Sequence, residues 1–232
     1  MKLSILITGA NRGIGLEVAR TFSQYDWDVI ATCRKPEEAL ALATIQAATE
    51  GRLKIYKLDV TRDEDIAALT EELADKDLDI LLNNAGIIGP EQQEFGMLDE
   101  RLWLETFQVN TLGPYKMAKA FLENVARSQR RIIATLTSEM GSIKGNSSGD
   151  YYVYRTSKAA ANMVVKNLSH DLRKKRITCV ALHPGWVRTR MGGDRAPVSP
   201  EQSAAGLFNI LTSLEEDDNG LFLSYQGKNI PW

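Results

Sequence analysis

Seven short apolar runs punctuate the chain: Leu3–Thr8, Asp28–Cys33, Leu53–Leu58, Leu78–Leu82, Arg131–Thr137, Ile177–Leu182 and Gly220–Tyr225. Most are nearly continuous in apolar residues rather than alternating. That pattern suits strands buried on both faces of a parallel sheet. Between them, helical patterns run over Gly13–Tyr25, Glu37–Thr49, Asp63–Ala74, Leu98–Arg127, Tyr151–Lys174 and Pro200–Ser213. Strand–helix alternation predicts right-handed crossovers and an α/β fold: a doubly wound parallel sheet of about seven strands with helices on both faces. Two helix starts are marked. Thr61 precedes three acids as an N-cap, and Ser199, Pro200 and Gln202 form a capping-box pattern.

Composition narrows the class. The 232 residues suit one domain, which we take as 1–232, including the loop over about 187–202. With 44% hydrophobic residues and a net charge of −2, the chain can build a core and has no footprint for nucleic acid or an anionic membrane. The basic clusters Arg127–Arg131 and Arg173–Arg176 fall at expected helix C-termini, where cations meet the negative dipole end. Cys33 and Cys179 have no metal spacing and sit in strand-like runs, so buried, inert thiols are expected. With no apolar window of membrane-spanning length and no leader pattern, a cytoplasmic location is expected.

Candidate chemistry begins at "ITGANRGIG" (Ile7–Gly15), which follows the first strand and opens the first helix. Glycines there allow a tight turn and close backbone approach. The free N–H groups of the helix start suit a pyrophosphate, as in a Rossmann-type fold; the alternative is a purely structural turn. The spacing is G-x-x-x-G-x-G, not the usual G-x-G-x-x-G. After the second strand, where NAD sites commonly carry an acid, the chain reads "ATCRKP". Arg34, with Arg12 in the glycine loop, suits a 2′-phosphate and therefore NADP(H) over NAD(H); the alternative is that Arg34 and Lys35 are solvated loop charges. Further on, "YRTSK" sets Tyr154 and Lys158 one helical turn apart, with Cβ atoms roughly 5–6 Å from each other. A cation that close commonly lowers a phenol's pKa by about 1–3 units. The same spacing, taken alone, also suits a surface pair.

At these residues the chain resembles the short-chain dehydrogenase/reductase family over nearly its whole length. "TGANRGIG" matches the cofactor motif, placing Gly9, Asn11, Arg12, Gly13, Ile14 and Gly15 at the dinucleotide. "LDV" implies adenine contacts from Asp59 and Val60. "NNAG" places Asn84, Ala85 and Gly86 beside the ribose, and "VNT" supplies Asn110. "TSEMGSI" supplies the catalytic serine, placed at Ser138 with Ser142 in contention; a second serine common in the family is here Thr137. "YRTSK" supplies Tyr154 and Lys158, and "HPGWVRT" brings Pro184, Gly185, Val187 and Thr189 to the nicotinamide. Within the family, "YYVYRTSKAA" and the ending "YQGKNIPW" are similar to the C-factor-like and sniffer-like carbonyl reductases.

The resemblance implies an NADP(H)-dependent oxidoreductase acting on a carbonyl or alcohol. Tyr154 would be the acid or base, Lys158 would tune it and reach the ribose, Ser138 would stabilise the oxyanion, and Asn110 would hold a relay water. His183 and His170 are read as structural and solvated. Ile87, Ile88, Trp186 and Met191 suggest an apolar pocket for an aldehyde or ketone, with Gly192 and Gly193 as a lid hinge. A homodimer is expected through the two helices around Trp103–Phe121 and Tyr151–Lys174, with a tetramer open. The alternative reading is a nucleotide-binding signalling or redox-sensing module with little turnover.

Overall fold

The computed structural model describes residues 2–232. Seven strands form one parallel sheet: β1 (Leu3–Ile7), β2 (Trp27–Cys33), β3 (Leu53–Lys57), β4 (Ile80–Asn83), β5 (Ile132–Leu136), β6 (Thr178–His183) and β7 (Phe222–Ser224). Their order is β3-β2-β1-β4-β5-β6-β7. The helices are α1 (Gly13–Gln24), α2 (Leu40–Ala48), α3 (Asp63–Glu72), α4 (Glu100–Phe107), α5 (Gly113–Ala120), α6 (Leu122–Arg127), α7 (Tyr152–Asp171) and α8 (Pro200–Ser213).

Burial on both sides explains the continuous apolar runs. Along β1, Ile5 and Ile7 join one core with Phe22 of α1, Leu42 of α2 and Leu207 of α8. Leu6 points the other way, into a core with Ile66 of α3, Met117 of α5, Val125 of α6 and Val165 of α7. Each fully buried side chain of this size contributes about 1.5–3 kcal/mol by leaving water.

The order reverses at β1, which pairs with β2 on one side (Ile5↔Val29) and β4 on the other (Ile5↔Ile80). Crossovers leave in opposite directions there and open a crevice at the carboxyl ends of the strands. The glycine turn after β1 and the Asn-Asn-Ala-Gly run after β4 both emerge at that crevice.

Three sequence expectations change. The single helix expected over Leu98–Arg127 is α4, a π-helical segment (Gln108–Leu112), α5 and α6. Pro114 is the physical reason for the π-helical interruption: it lacks an N–H, and its ring would clash with the carbonyl of Asn110. The cap of α3 is not Thr61. Arg62 occupies that position without a side-chain bond, while Thr61 Oγ1 donates to Asp59 Oδ1 at 2.7 Å. Helix α7 stops at Asp171, ahead of a 3-10 turn over Arg173–Lys175. By contrast, Ser199 and Gln202 make the expected capping box at α8.

The basic clusters are used within the fold. Arg130 donates to the carbonyls of Thr212 (2.8 Å) and Leu214 (3.1 Å), closing the C-terminus of α8 rather than of its own helix. Arg176 pairs with Glu216 at 3.1 Å. Both cysteines are buried and free, and burial pushes the Cys179 thiol up to about 12. No helix among the described residues is long and apolar enough to cross a membrane.

Candidate active site

β5 ends just before Ser138, which adopts an extended backbone and opens a 3-10 turn over Glu139–Gly141. Its Oγ accepts from Met140 N at 3.1 Å. Helix α7 brings Tyr154 to the same place, with the Ser138 hydroxyl near enough to the phenol to pull its pKa down. Close packing of the serine's loop on α7 allows this. A Cβ on Gly141 would lie 2.8 Å from the carbonyl carbon of Lys158. Lys158 Nζ, one turn along, donates to Leu136 O at 2.9 Å. It lies 5.8 Å from the Tyr154 ring centroid. All three side chains are buried.

Asn110 and Lys158 meet at Gly86. A Cβ there would sit 3.3 Å from Asn110 Oδ1 and 3.4 Å from Lys158 Nζ. The Asn110 amide accepts from Ile87 N (2.9 Å) and donates to Ile87 O (2.8 Å) and Ser157 Oγ (3.0 Å). Its side chain is therefore a clamp between the loop after β4 and α7.

The glycine turn lies across the crevice. Helix α1 starts with no acid in its first turn and no side-chain cap, so the N–H groups of Gly13, Ile14 and Gly15 have no side-chain acceptor. That donor set fits a dinucleotide pyrophosphate. Gly15 has no room for a side chain, because a Cβ would run into Asn84 Nδ2 and Gly9 O. Asn84 Nδ2 donates to Thr8 O (2.7 Å) and Gly9 O (3.0 Å), so it stitches β4 to the turn. Thr8 Oγ1 accepts from the amides of Asn84 (3.0 Å) and Ala85 (2.9 Å), a role the sequence did not signal. Thr189 sits across from Gly13, its Cγ2 3.3 Å from where a Cβ would be.

The family model of the short chain dehydrogenases matches residues 4–198. The chain belongs to the short-chain dehydrogenase family. It is 40% identical over 155 residues to C-signal of Myxococcus xanthus, covering 67% of this chain and 93% of that protein. The solved carbonyl reductase Sniffer of D. melanogaster aligns over 100% of both chains, with TM-score 0.92 and 36% identity. An NADPH-bound carbonyl reductase from chicken fatty liver aligns over 100% of both chains, with TM-score 0.90 and 33% identity. These likenesses agree with the branch that the motifs suggested.

In this short-chain dehydrogenase the expected acidification of the phenol is not what the geometry produces. Burial pushes Tyr154 up to about 12, and the nearby Ser138 hydroxyl pulls only partly the other way. Burial also pushes Lys158 down to about 8. Lys158 Nζ is turned to Leu136 O and stands 5.8 Å from the ring centroid, and burial is the largest influence on both groups. At neutral pH the phenol therefore holds its proton.

The remaining candidates fall around the same edge. Arg12 and Arg34 are exposed and, among the described residues, form no carboxylate ion pair, whereas Lys35 is paired with Glu38 at 2.7 Å. Asp59 accepts from Thr61 N and Oγ1. Burial is the largest influence on Asp59 and raises its pKa, yet the Thr61 bonds and the charges of Arg34 and Arg62 together hold it below the usual value. Val60 is buried, with its Cγ2 2.9 Å from where a Cβ on Gly113 would be. Pro184 O accepts from Ser203 Oγ at 2.7 Å, and Gly185 has φ +89° against the Tyr225 ring. Val187 bridges to Val198. Trp186 is exposed, and its Nε1 donates to Gly192 O at 2.8 Å.

Ser142 is excluded from the hydroxyl pair. It is buried, and its Oγ donates to Pro231 O and to Trp232 O (3.1 Å). Sequence reasoning missed Gln93 and Gly141 as well as Thr8, since their roles rest on contacts remote in the chain.

His183 supports the serine's loop. Its Nδ1 accepts from Glu139 N at 3.2 Å, and Nε2 is 3.7 Å from a Glu139 carboxylate oxygen. Burial lowers its pKa, partly opposed by Glu139. Below an unfolded value of about 6.5, the unfolded chain binds the extra proton more readily than the folded one, so this group costs stability as pH falls. His183→Gln is expected to reduce the loss of melting temperature between about pH 7 and pH 5. A variant whose melting temperature falls in parallel with wild type would sink that assignment.

Proposed function

We propose that this chain is an NADP(H)-dependent carbonyl reductase acting on aldehydes or ketones with an apolar body. The observation that carries the reading is the Ser138–Tyr154 hydroxyl pair, with Lys158 one turn along, at the crevice where β1 and β4 part. Gly9, Asn11, the amides of Gly13 to Gly15, Asp59, Val60, Ala85, Gly86, Lys158 and the Pro184–Thr189 segment would hold the dinucleotide, with Arg12 and Arg34 at the 2′-phosphate. The bound nicotinamide would supply the hydride for reduction.

The protein's own work is acid–base and electrostatic. Ser138 Oγ–H donates to the substrate oxygen as negative charge grows there. Tyr154 passes its proton to the same oxygen, and Lys158 places a positive charge beside the phenolate that remains. The half-exposed Trp186, Met191 and Ile87 supply apolar walls for the substrate body. That Sniffer and the chicken protein are carbonyl reductases supports this substrate class. A homodimer would use exposed apolar residues of the α4–α5 stretch and α7, among them Leu104, Tyr115 and Met163; light scattering that finds only monomer at micromolar concentration rejects it.

NADPH oxidation against a panel of aldehydes and ketones tests the reading. Wild type is expected to favour NADPH over NADH, and Arg34→Ala to lose about tenfold or more of that preference, the worth of one charge-assisted bond. The reading fails if no carbonyl compound supports oxidation. The cofactor assignment fails if both dinucleotides serve equally in wild type and variant.

A further inference from the structure

We propose that Gln93 is a positioning residue that ties the substrate-side loop to the acid–base tyrosine. The inference rests on the reductase reading for its kinetic consequence, but its geometry stands apart from it.

The start of α7 lacks an ordinary cap. Its N-cap position is Tyr151, left-handed at φ +52°, with no capping side chain. Asp150 before it is also left-handed, at φ +59°. Two successive non-glycine residues in that region carry backbone strain that persists only where surroundings compensate. The first amides of a helix have no intrahelical acceptor. Here two are served from a residue some sixty positions earlier in sequence. Gln93 O accepts from Tyr152 N at 3.2 Å, and Gln93 Oε1 accepts from Tyr154 N at 2.8 Å. The second amide belongs to the proposed acid itself.

The other end of the side chain holds the loop after β4. Gln93 Nε2 donates to Ile88 O at 2.9 Å and to Pro90 O at 2.8 Å. Both amide hydrogens are used, and the oxygen faces an N–H, so the amide has one orientation consistent with its partners. The residue is only 3% exposed, deep for a glutamine. The loop leans on α7 nearby: a Cβ on Gly89 would lie 3.1 Å from Val153 Cγ1. Asn110 pins the same loop at Ile87. Movement of the wall at Ile87–Phe95 is thus passed through one amide to the backbone of Tyr154, and misplacement of a reacting group by about 1 Å can cost on the order of 100-fold.

Gln93→Met keeps the shape and removes both halves of the clamp. Gln93→Glu keeps an acceptor for Tyr154 N but turns a carboxylate oxygen toward the Ile88 and Pro90 carbonyls. Gln93→Met is expected to lower kcat by about 10- to 100-fold, raise KM for the carbonyl substrate and shift the kcat pH profile. NADPH affinity, read by fluorescence, stays within about twofold. Gln93→Glu is expected to recover most of kcat and the wild-type pH profile while KM stays raised. That split separates positioning from a general loss of fold, which would lower both variants together with their melting temperatures. Amide exchange at Tyr154 is read alongside, without turnover, and is expected to accelerate in Gln93→Met and not in Gln93→Glu. The proposal is overturned if wild type reduces carbonyls and Gln93→Met matches it in kcat, pH profile and Tyr154 exchange. It is also overturned if the two variants fall equally. Wild type with no carbonyl turnover but with faster Tyr154 exchange in Gln93→Met would instead overturn the reductase reading and leave the clamp standing.

Discussion

Tyr154→Phe is expected to lower kcat for carbonyl reduction by about 10²–10⁴, the usual worth of a positioned general acid. The change removes one oxygen and leaves the buried ring, so the fold should survive. The lost atom is the hydroxyl beside Ser138, the proposed proton source for the substrate oxygen. Burial pushes this phenol up to about 12, so at neutral pH the wild-type group is protonated and ready to donate. Water cannot substitute well, because Tyr154 and Ser138 are both less than a tenth exposed. NADPH affinity should hold, since the helix amides, Arg12 and Arg34 are untouched. Steady-state reduction and a fluorescence titration check the two halves. Wild-type kcat in Tyr154→Phe, with binding intact, would remove the tyrosine from the mechanism.

Ser138→Ala is expected to cost about 10²–10³ in kcat, comparable to loss of one oxyanion-hole donor. The matching control is Ser142→Ala. The two serines stand four positions apart after β5, and sequence spacing leaves either one eligible. Their surroundings differ. Ser138 Oγ meets the Tyr154 hydroxyl, whereas Ser142 Oγ is committed to the carbonyls of Pro231 and Trp232. Losing Ser142 leaves a hydrogen-bond deficit in a buried structural contact, worth about 1–3 kcal/mol of stability. Ser142→Ala should therefore lower the melting temperature and largely spare kcat. Full activity in Ser138→Ala, or a kcat collapse in Ser142→Ala at unchanged melting temperature, would reverse the assignment.

Much of the architecture was legible because it depends on local pattern. Four of the five residues of Ile132–Leu136 are apolar, three packing into one core and Ile133 into the other, and a parallel sheet covered on both faces buries such a segment. The start of α8 was legible for a similar reason, since Ser199, Pro200 and Gln202 act on one another within a single turn. The break in the Leu98–Arg127 stretch had a visible cause in Pro114, although the periodicity around it ran on. Thr61 was misread because a nearby carboxylate, Asp59, competes for its hydroxyl.

The candidate site divides along the same line. The sequence alone determined the alternation of strands and helices, the glycine turn before α1, and the placing of Tyr154 and Lys158 one turn apart, because each follows from neighbours a few residues away. Only the tertiary structure decided which serine meets the phenol, that burial rather than the lysine governs its proton, and that Gln93 caps the helix carrying it. Those outcomes depend on desolvation and on hydrogen bonds between segments tens of residues apart, and a linear pattern carries no record of either.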